Sequence, residues 1–221
     1  AYSSILPMNF HAEEDRPGCA PMRAWTLYEQ IEHDQPGTPC RIHTFPHRED
    51  LAALCRDVAA ARANADVVLV SLHWGIHFVP AVIADYQRDV GRAAIDAGAD
   101  VILGHHAHIL KGVEFHRGRP IIYSLCNFAV DLPMTPEHAQ SRGFLEIRKL
   151  HPHWEPDFDS SYNFPADSRR TVVASVRVRA GRVERVSLLP AWVNRQSQPE
   201  ILAAADPRFA EVAGYLEEVT R

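Results

Sequence analysis

Several common signatures are missing from this chain of 221 residues, and each absence narrows the functions to consider. The four cysteines are scattered and form no CxxC pair, so no zinc knuckle is predicted and the redox compartment stays open. A glycine-rich phosphate loop and a GxSxG elbow are both absent, which argues against P-loop and serine hydrolase chemistry. The net charge of -5 comes without a block of like charges, so nucleic acid is not an expected partner.

Long apolar runs are also lacking. No stretch approaches the roughly 18 residues of a membrane-spanning helix, and the first ten residues do not resemble a signal peptide. We therefore expect the chain as given to be soluble, without a transmembrane segment. The first residues, AYSSIL, are typical of a strand, and the polar stretch around Pro17 and Pro21 is typical of a long loop. A chain that starts inside a strand is expected to be a fragment of a longer protein.

The apolar pattern predicts alternating helices and strands. Leu51, Leu54, Cys55 and Val58 recur at the helical interval, which predicts a helix from Glu49 to about Asn64. The continuously apolar runs DVVLVSL and DVILG are typical of parallel strands buried on both faces. Between them, an apolar stripe predicts a second helix that begins at Pro80 and ends at Gly98. This order predicts an α/β layered sheet in a single domain over residues 1–221.

Later segments extend this scheme. GVEFHRGRPIIYSL reads as two strands that turn at residues 117–119, and GFLEIRKL is interpreted as another strand. The polar region 151–169 is predicted to be an extended loop. Alternating valines on both sides of Ala180 and Gly181 predict a hairpin, and a final amphipathic helix is predicted to be capped by Asp206 with Pro207 at its first position.

Polar side chains follow three of the predicted strands. His73 follows DVVLVSL, His105, His106 and His108 follow DVILG, and Asn127 follows IIYSL. Ligands of open α/β sheets bind at the carboxyl ends of the strands, so we expect these side chains to cluster at one edge. Neutral imidazole is a good ligand for divalent metals, and His73 with two of the later histidines would provide three nitrogens.

Residue spacing suggests which histidines share the site. In an extended segment residues two apart project to the same side, so we expect His106 and His108 to act together and His105 to point away, toward substrate or backbone. Asp131 is a candidate to orient a ligand imidazole or an ordinary turn residue, and His77 either lines the cleft or lies on the surface. His11, His33, His43, His47, His151 and His153 have no partner at ligand spacing and are assigned no chemistry.

The motifs SLHWG, FVPAVIADYQ, DAGADVILGHHAH and GRPIIYSLCNF together resemble the bacterial capsule-synthesis CapA family, also called the poly-gamma-glutamate capsule biosynthesis family. That family belongs with the calcineurin-like metallophosphoesterases. The resemblance covers residues 66–131. It implies a layered αββα sandwich with two divalent ions (Mn, Zn or Fe) at one edge, for which His73, His106 and His108 match metal-ligand positions.

The resemblance also shows two departures. Cys126 stands where the family usually has glycine, and nothing before His73 matches the family's aspartate-containing GD motif or its NNH-like motif. We therefore expect the chain to correspond to the C-terminal portion of the family domain, or to keep the fold with a depleted metal site.

Three functions follow as hypotheses. The first is a metal-dependent phosphoesterase-like hydrolase, with His105 or Asn127 contacting a phosphoester or capsule-polymer-related substrate. The second is a non-catalytic component of an envelope assembly complex. The third, a mononuclear zinc amidase or deacetylase, needs a nearby carboxylate, for which only Asp131 and Glu114 are close in sequence.

Overall fold

The computed structural model describes the backbone of residues 1–221, and the side chains of all of them except Met8 and Leu150. The strands are β1 Tyr2–Ser3, β2 Ala24–Gln30, β3 Cys40–Pro46, β4 Leu69–His73, β5 Val101–His105, β6 Val113–His116, β7 Arg119–Ile122, β8 Arg170–Arg179, β9 Arg182–Val193 and β10 Pro199–Ile201. The helices are α1 Arg48–Asn64, α2 Asp85–Asp96, α3 Pro136–Ala139, α4 Arg142–Leu150 and α5 Pro207–Thr220, with 3-10 turns at Met8–Phe10 and Ala166–Arg169.

A five-stranded sheet in the order β1-β4-β5-β7-β6 positions the residues of interest. Its first four strands run parallel, and β6 pairs antiparallel with β7. Helix α1 precedes β4 and α2 connects β4 to β5, which is the alternation expected of an α/β protein. The predicted α/β class is confirmed, and so is the prediction that the strands preceding His73, His105 and Asn127 share one sheet.

The main core lies between this sheet and the first two helices. Apolar side chains of the helices pack against alternate residues of the strands, and the buried members include Leu54, Val58, Val90, Ala94, Val70, Leu72, Ile102 and Ile121. Fully burying one such side chain is worth about 1.5–3 kcal/mol. The strands are therefore held rigidly, and the loops at their ends are displayed on a fixed platform.

A second sheet and the last helix form a separate apolar cluster. Strands β10, β9 and β8 are antiparallel neighbours, and α5 packs on β9. Val172 of β8 and Val212 of α5 are buried together with Leu110, which follows β5 in the chain. This cluster connects the C-terminal hairpin to the loops at the carboxyl end of the central sheet.

Several predicted elements are confirmed in detail. Helix α1 ends at Asn64, and the β6–β7 and β8–β9 hairpins turn where predicted. Asp206 caps α5 by accepting a hydrogen bond from the backbone N–H of Arg208 at 2.9 Å, with Pro207 in the first position. Residues 151–169 contain no strand and no α-helix, as expected for an extended loop.

The predicted start of the second helix is wrong. Helix α2 begins at Asp85 rather than Pro80, because Ala81 has a left-handed φ of 57° and cannot continue a helix. The buried ammonium of Lys111 donates hydrogen bonds to the carbonyls of Val79 and Val82, which fixes this segment as a loop. The apolar stripe from Tyr86 onward is nevertheless buried as predicted.

The interpretation of GFLEIRKL as a strand is also wrong, since these residues lie in helix α4. Ser141 caps the helix by accepting a hydrogen bond from the backbone N–H of Phe144 at 3.3 Å. Phe144 packs in a small cluster with Met134 and Trp154. Arg148 and Lys149 occupy the last turn, where positive charge is favourable.

The sequence patterns above do not predict the antiparallel hairpin formed by β2 and β3. Its side chains are largely exposed, including Trp25, Leu27 and Tyr28. Thr44 connects the hairpin to α2, because its backbone N–H donates to Asp85 and its hydroxyl accepts from the backbone N–H of Tyr86. Within the described residues, no helix is long and apolar enough to cross a bilayer.

A buried ion pair fixes the chain just before β2. Asp50 of α1 is only 5% exposed and accepts hydrogen bonds from the backbone N–H, Nε and Nη2 of Arg23 at 2.9, 2.8 and 2.7 Å. Burial by itself raises the pKa of Asp50, but the bonds from Arg23 outweigh burial, so the pKa is lowered. Arg23 thus provides the hydrogen bonds of this carboxylate, and Nδ1 of His47 lies farther away, 3.5 Å from Oδ1.

We expect Arg23→Met to lower the free energy of unfolding by about 2 kcal/mol, because a buried carboxylate loses most of its partners while the arginine itself is half exposed. Urea unfolding followed by tryptophan fluorescence measures the change. The matched control is Arg41→Met, which removes an exposed pair with Glu29 and should cost less than about 1 kcal/mol. Equal losses in both variants would contradict the importance of the buried pair.

Candidate functional site

The candidate site lies where the carboxyl ends of β4, β5 and β7 meet. His73 and His105 are register partners on β4 and β5. The backbone N–H of Trp74 donates to the carbonyl of His105 at 3.2 Å, and that of Leu125 donates to Gly104 at 3.0 Å. These bonds continue the pairing of the three strands past their carboxyl ends and bring the following loops together.

Gly104 allows the closest of these approaches. A Cβ atom on this residue would lie 2.1 Å from the carbonyl oxygen of Tyr123, a distance that no side chain tolerates. The same carbonyl accepts a hydrogen bond from Nε1 of Trp74 at 3.0 Å. Close packing therefore requires glycine at position 104, before the histidines. Without a side chain there, the segment after β7 lies directly beside β5.

Four imidazoles lie together in this cleft, and His106 neighbours each of the other three. Nε2 of His73 lies 3.1 Å from Nδ1 of His106, with ring centroids 4.8 Å apart. His77 stacks on His106 at 5.2 Å and 15°, so it lines the cleft rather than the surface. The His108 ring lies 5.9 Å from that of His106. The predicted clustering of His73, His106 and His108 is thus present in the structure, while their role as metal ligands stays a prediction.

Asn127 contacts His108 directly. Its Oδ1 lies 2.7 Å from Nδ1 of His108, and its Nδ2 donates to the hydroxyl of Tyr162 at 2.7 Å. The side chain is 8% exposed, and both ends of its amide have protein partners. This arrangement suits a residue that orients an imidazole better than one that contacts substrate.

The remaining sequence candidates occupy different positions. His105 is half-buried beside His73, and its proximity contributes to the lowered pKa of His73. Asp131 is exposed. Glu114 lies on β6, where it accepts hydrogen bonds from Arg92 and Tyr123, so the carboxylate that an amidase would need is engaged elsewhere.

Backbone strain is concentrated around the cleft. Four non-glycine residues there have left-handed φ angles: Phe78 at 62°, His106 at 89°, His108 at 55° and Cys126 at 66°. Each such residue costs on the order of 1 kcal/mol and persists only when the surrounding structure enforces it. The turn at Cys126 has a backbone conformation that glycine adopts more readily than other residues.

The cleft favours uncharged imidazole. Burial lowers the pKa of His106 to about 4, and the neighbouring His73, His77 and His108 add to the effect. Burial is also the largest cause of the lowered pKa values of His73, His105 and His108. A neutral imidazole keeps a lone pair for a metal or a proton. At neutral pH these imidazoles therefore have lone pairs that can coordinate a metal ion or accept a hydrogen bond.

The structure adds a wall that sequence spacing did not reveal. Phe78 stacks on His108 at 5.6 Å, and it contacts His151 and Trp154 at 5.0 and 5.4 Å. Phe164 lies 4.9 Å from the His108 ring. His151, Trp154 and Phe164 belong to loop 151–169, which is far from the histidine motifs in sequence. The loop's aromatic content was the only feature of the sequence that could have indicated this contact.

The donor set only partly fits a metal site. Two nitrogen ligands with bonds of about 2.1 Å to one ion lie roughly 3 Å apart, which is the spacing of the His73 and His106 nitrogens. Among the residues whose side chains are described, however, no group of three or more histidine, cysteine or acidic side chains is arranged to hold an ion. Two imidazole nitrogens thus have the spacing of ligands to one ion, and no carboxylate of the described residues joins them in such a group.

Comparison with known proteins identifies the family. The family described as bacterial capsule synthesis protein PGA_cap matches residues 1–132, more than half of the chain. The chain belongs to this family. All the candidate residues from His73 to Asn127 lie inside the matched segment, whereas the loop carrying His151, Trp154 and Tyr162 lies outside it.

Individual relatives agree with this assignment. The PGA biosynthesis protein CapA of Bacillus subtilis is 45% identical over 74 residues, which are 34% of this chain and 19% of the relative. The capsule biosynthesis protein CapA of Bacillus anthracis is 40% identical over 70 residues, 32% of this chain and 17% of the relative. A probable polyglutamine synthesis accessory protein of Mycobacterium tuberculosis is 31% identical over 154 residues, 68% of this chain and 34% of the relative. The chain thus matches between about a sixth and a third of these relatives' lengths.

The lowered pKa of His106 predicts acid sensitivity. Its pKa rises from about 4 in the folded chain to about 6.5 when unfolded, so the unfolded state binds the extra proton as the pH falls below 6.5. We expect the metal-free chain to lose up to about 1 kcal/mol of stability between pH 7 and pH 5 through this residue, because solvent screens the partly exposed imidazole.

His106→Asn should reduce that loss, because asparagine does not titrate and tolerates a left-handed φ. Urea unfolding at pH 7, 6 and 5 with a chelator present measures the effect. His33→Asn, at an exposed loop position, is the control and should follow the wild type. If His106→Asn and the wild type lose stability in parallel, the buried imidazole is not the sensitive group.

Proposed function

We propose that the histidine cluster is the imidazole part of a metal-dependent phosphoesterase-like site, in a CapA-type protein that acts in capsule or poly-gamma-glutamate synthesis. The observation that carries this proposal is the contact of the His73 and His106 nitrogens at 3.1 Å, with His108 beside them. Membership of the capsule synthesis family supports the biological setting. The relatives' printed roles in PGA biosynthesis and capsule biosynthesis support the same setting.

Each residue has a role suited to its position. His73 and His106 would hold a divalent ion, and His108 would add a third nitrogen from the same loop. Such ions supply Lewis-acid activation of water and of phosphoryl oxygens when they are bound. His105, half-buried at the end of β5, is the candidate for contact with substrate, and Asn127 orients His108.

The charge of the cluster limits what the chain does alone. Two closely spaced dications need an anionic bridging ligand, and the imidazoles in the cleft carry no negative charge. The nearest acidic candidates of the sequence, Asp131 and Glu114, are respectively exposed and paired with Arg92. We therefore expect these 221 residues by themselves to bind one divalent ion weakly and to hydrolyse phosphoesters poorly.

The same missing carboxylate favours a second candidate function. A protein that keeps the fold and the family setting without a complete metal site would act as a non-catalytic component of an envelope assembly complex. The aromatic wall of Phe78, His151, Trp154 and Phe164 would then serve recognition rather than catalysis. Metal binding by the cluster separates the two candidates.

Replacing His106 and His108 together by alanine should weaken binding of zinc or manganese at least tenfold, because a site losing two of its nitrogens retains only His73. Isothermal titration calorimetry with each metal measures this, beside a chromogenic phosphodiester assay. The control variant His33→Ala changes an exposed loop histidine and should bind like the wild type. Circular dichroism checks that the double variant is folded.

Two results would change the assignment. If wild type and the double variant bind metal equally, the cluster is not a metal site and the non-catalytic function is favoured. If the wild-type chain binds two ions tightly and turns over phosphodiester rapidly, the missing carboxylate is not required.

A further inference from the structure

A continuous line of hydrogen bonds runs from His108 into the loop outside the family-matched segment. His108 Nδ1 lies 2.7 Å from Asn127 Oδ1, and Asn127 Nδ2 donates to the Tyr162 hydroxyl at 2.7 Å. The Tyr162 hydroxyl in turn donates to the backbone carbonyl of Ser168 at 2.5 Å. Tyr162 is 1% exposed and Asn127 8%, so water has little access to compete for these bonds.

The last of these bonds sets the direction of the others. A backbone carbonyl only accepts hydrogen bonds, so the single hydroxyl proton of Tyr162 must point to Ser168. If the proton pointed to Asn127 instead, two oxygens would face each other at this distance without a hydrogen between them. The Tyr162 oxygen can therefore offer Asn127 only its lone pair.

The orientation of the Asn127 amide follows from that lone pair. Its NH₂ group must face Tyr162, which leaves Oδ1 facing His108. An amide oxygen needs a donor, so Nδ1 of His108 carries the proton. Because a neutral imidazole has one protonated nitrogen, the free lone pair of His108 lies on Nε2.

We propose that Tyr162 is a positioning residue that fixes His108 in the tautomer with its proton on Nδ1 and its lone pair on Nε2. The use of that lone pair as a metal ligand rests on the proposed function, whereas the tautomer itself does not. His108 lies inside the segment that the family matches, residues 1–132, and Tyr162 lies outside it. A residue outside the matched segment therefore determines which nitrogen of His108 is available in the cleft.

Cys126 stabilises the acceptor end of this line. Its thiol donates to the same Ser168 carbonyl at 3.3 Å. Burial raises the pKa of Cys126 to about 12, so the thiol stays protonated and remains a donor. The thiol and the Tyr162 hydroxyl thus both donate to the Ser168 carbonyl, and the second bond helps to fix its position. The Tyr162 proton has no other acceptor in the described contacts.

The test is to observe the imidazole nitrogens directly. Long-range ¹H–¹⁵N correlation spectra distinguish a protonated from an unprotonated imidazole nitrogen, and they are recorded on the metal-free chain near pH 8. The His108 signals are assigned as those that disappear in His108→Gln. In the wild type we expect a protonated Nδ1 and an unprotonated Nε2 on His108. A spectrum with the proton on Nε2 would overturn the proposal without any variant.

Tyr162→Phe keeps the ring and removes the hydroxyl. The Asn127 amide is then free to turn, and we expect the ratio of the two His108 tautomers to fall about fivefold, as loss of one hydrogen bond would give. Tyr215→Phe is the matched control, because this tyrosine is largely buried and its hydroxyl has no partner among the described atoms. It should leave the His108 spectrum unchanged.

A second variant separates orientation from general damage. Adding Asn127→Asp to Tyr162→Phe supplies an acceptor on both carboxylate oxygens, so Nδ1 of His108 should again be protonated although the hydroxyl is still missing, whether or not the carboxylate also favours a proton on Nε2. A tautomer ratio unchanged in folded Tyr162→Phe, or an Nδ1 that is not protonated again after the second substitution, would refute the positioning role. None of these readouts depends on metal binding, so they remain decisive if the proposed function fails.

Discussion

The backbones of β5 and β7 approach one another so closely at Gly104 that only glycine fits, and the whole cleft depends on this contact. It places Leu125 within hydrogen-bonding distance of Gly104, so the chain after β7 runs beside the histidine loop. Asn127 reaches His108 only because of that path. A side chain at position 104 would separate the two loops and remove the partner of His108, although every histidine remained.

The parts of this arrangement that follow from local pattern were predictable. Buried parallel strands are recognised by continuous apolar runs, and polar residues after such strands meet at one sheet edge, which located His73, His106 and Asn127 together. The αL backbone at His106 and His108, the stacking of His77 and the arrival of His151 were not predictable, because they depend on contacts between distant segments. The same limit explains the errors at α2 and α4, where Lys111 and Ser141 set boundaries that apolar periodicity does not encode.

The chemistry of the cleft is that of neutral nitrogen donors held in an apolar frame. Burial suppresses protonation of His106, and aromatic rings rather than charged groups surround His108. Such a frame protects lone pairs from protons and from water, but it does not provide negative charge. The histidines lie within the segment that the capsule synthesis family matches, and the described contacts of their imidazoles include no carboxylate.

The left-handed residues of the cleft also bear on how such a chain would change over evolutionary time. Glycine or asparagine at positions 106, 108 and 126 would relieve about 1 kcal/mol each, so stability alone selects against the present residues. In a lineage that no longer needed the imidazoles, drift would be expected to replace His106 and His108 by these residues first. If relatives keep histidine at the positions of His106 and His108 despite the left-handed backbone, we would infer that their cleft still has a function.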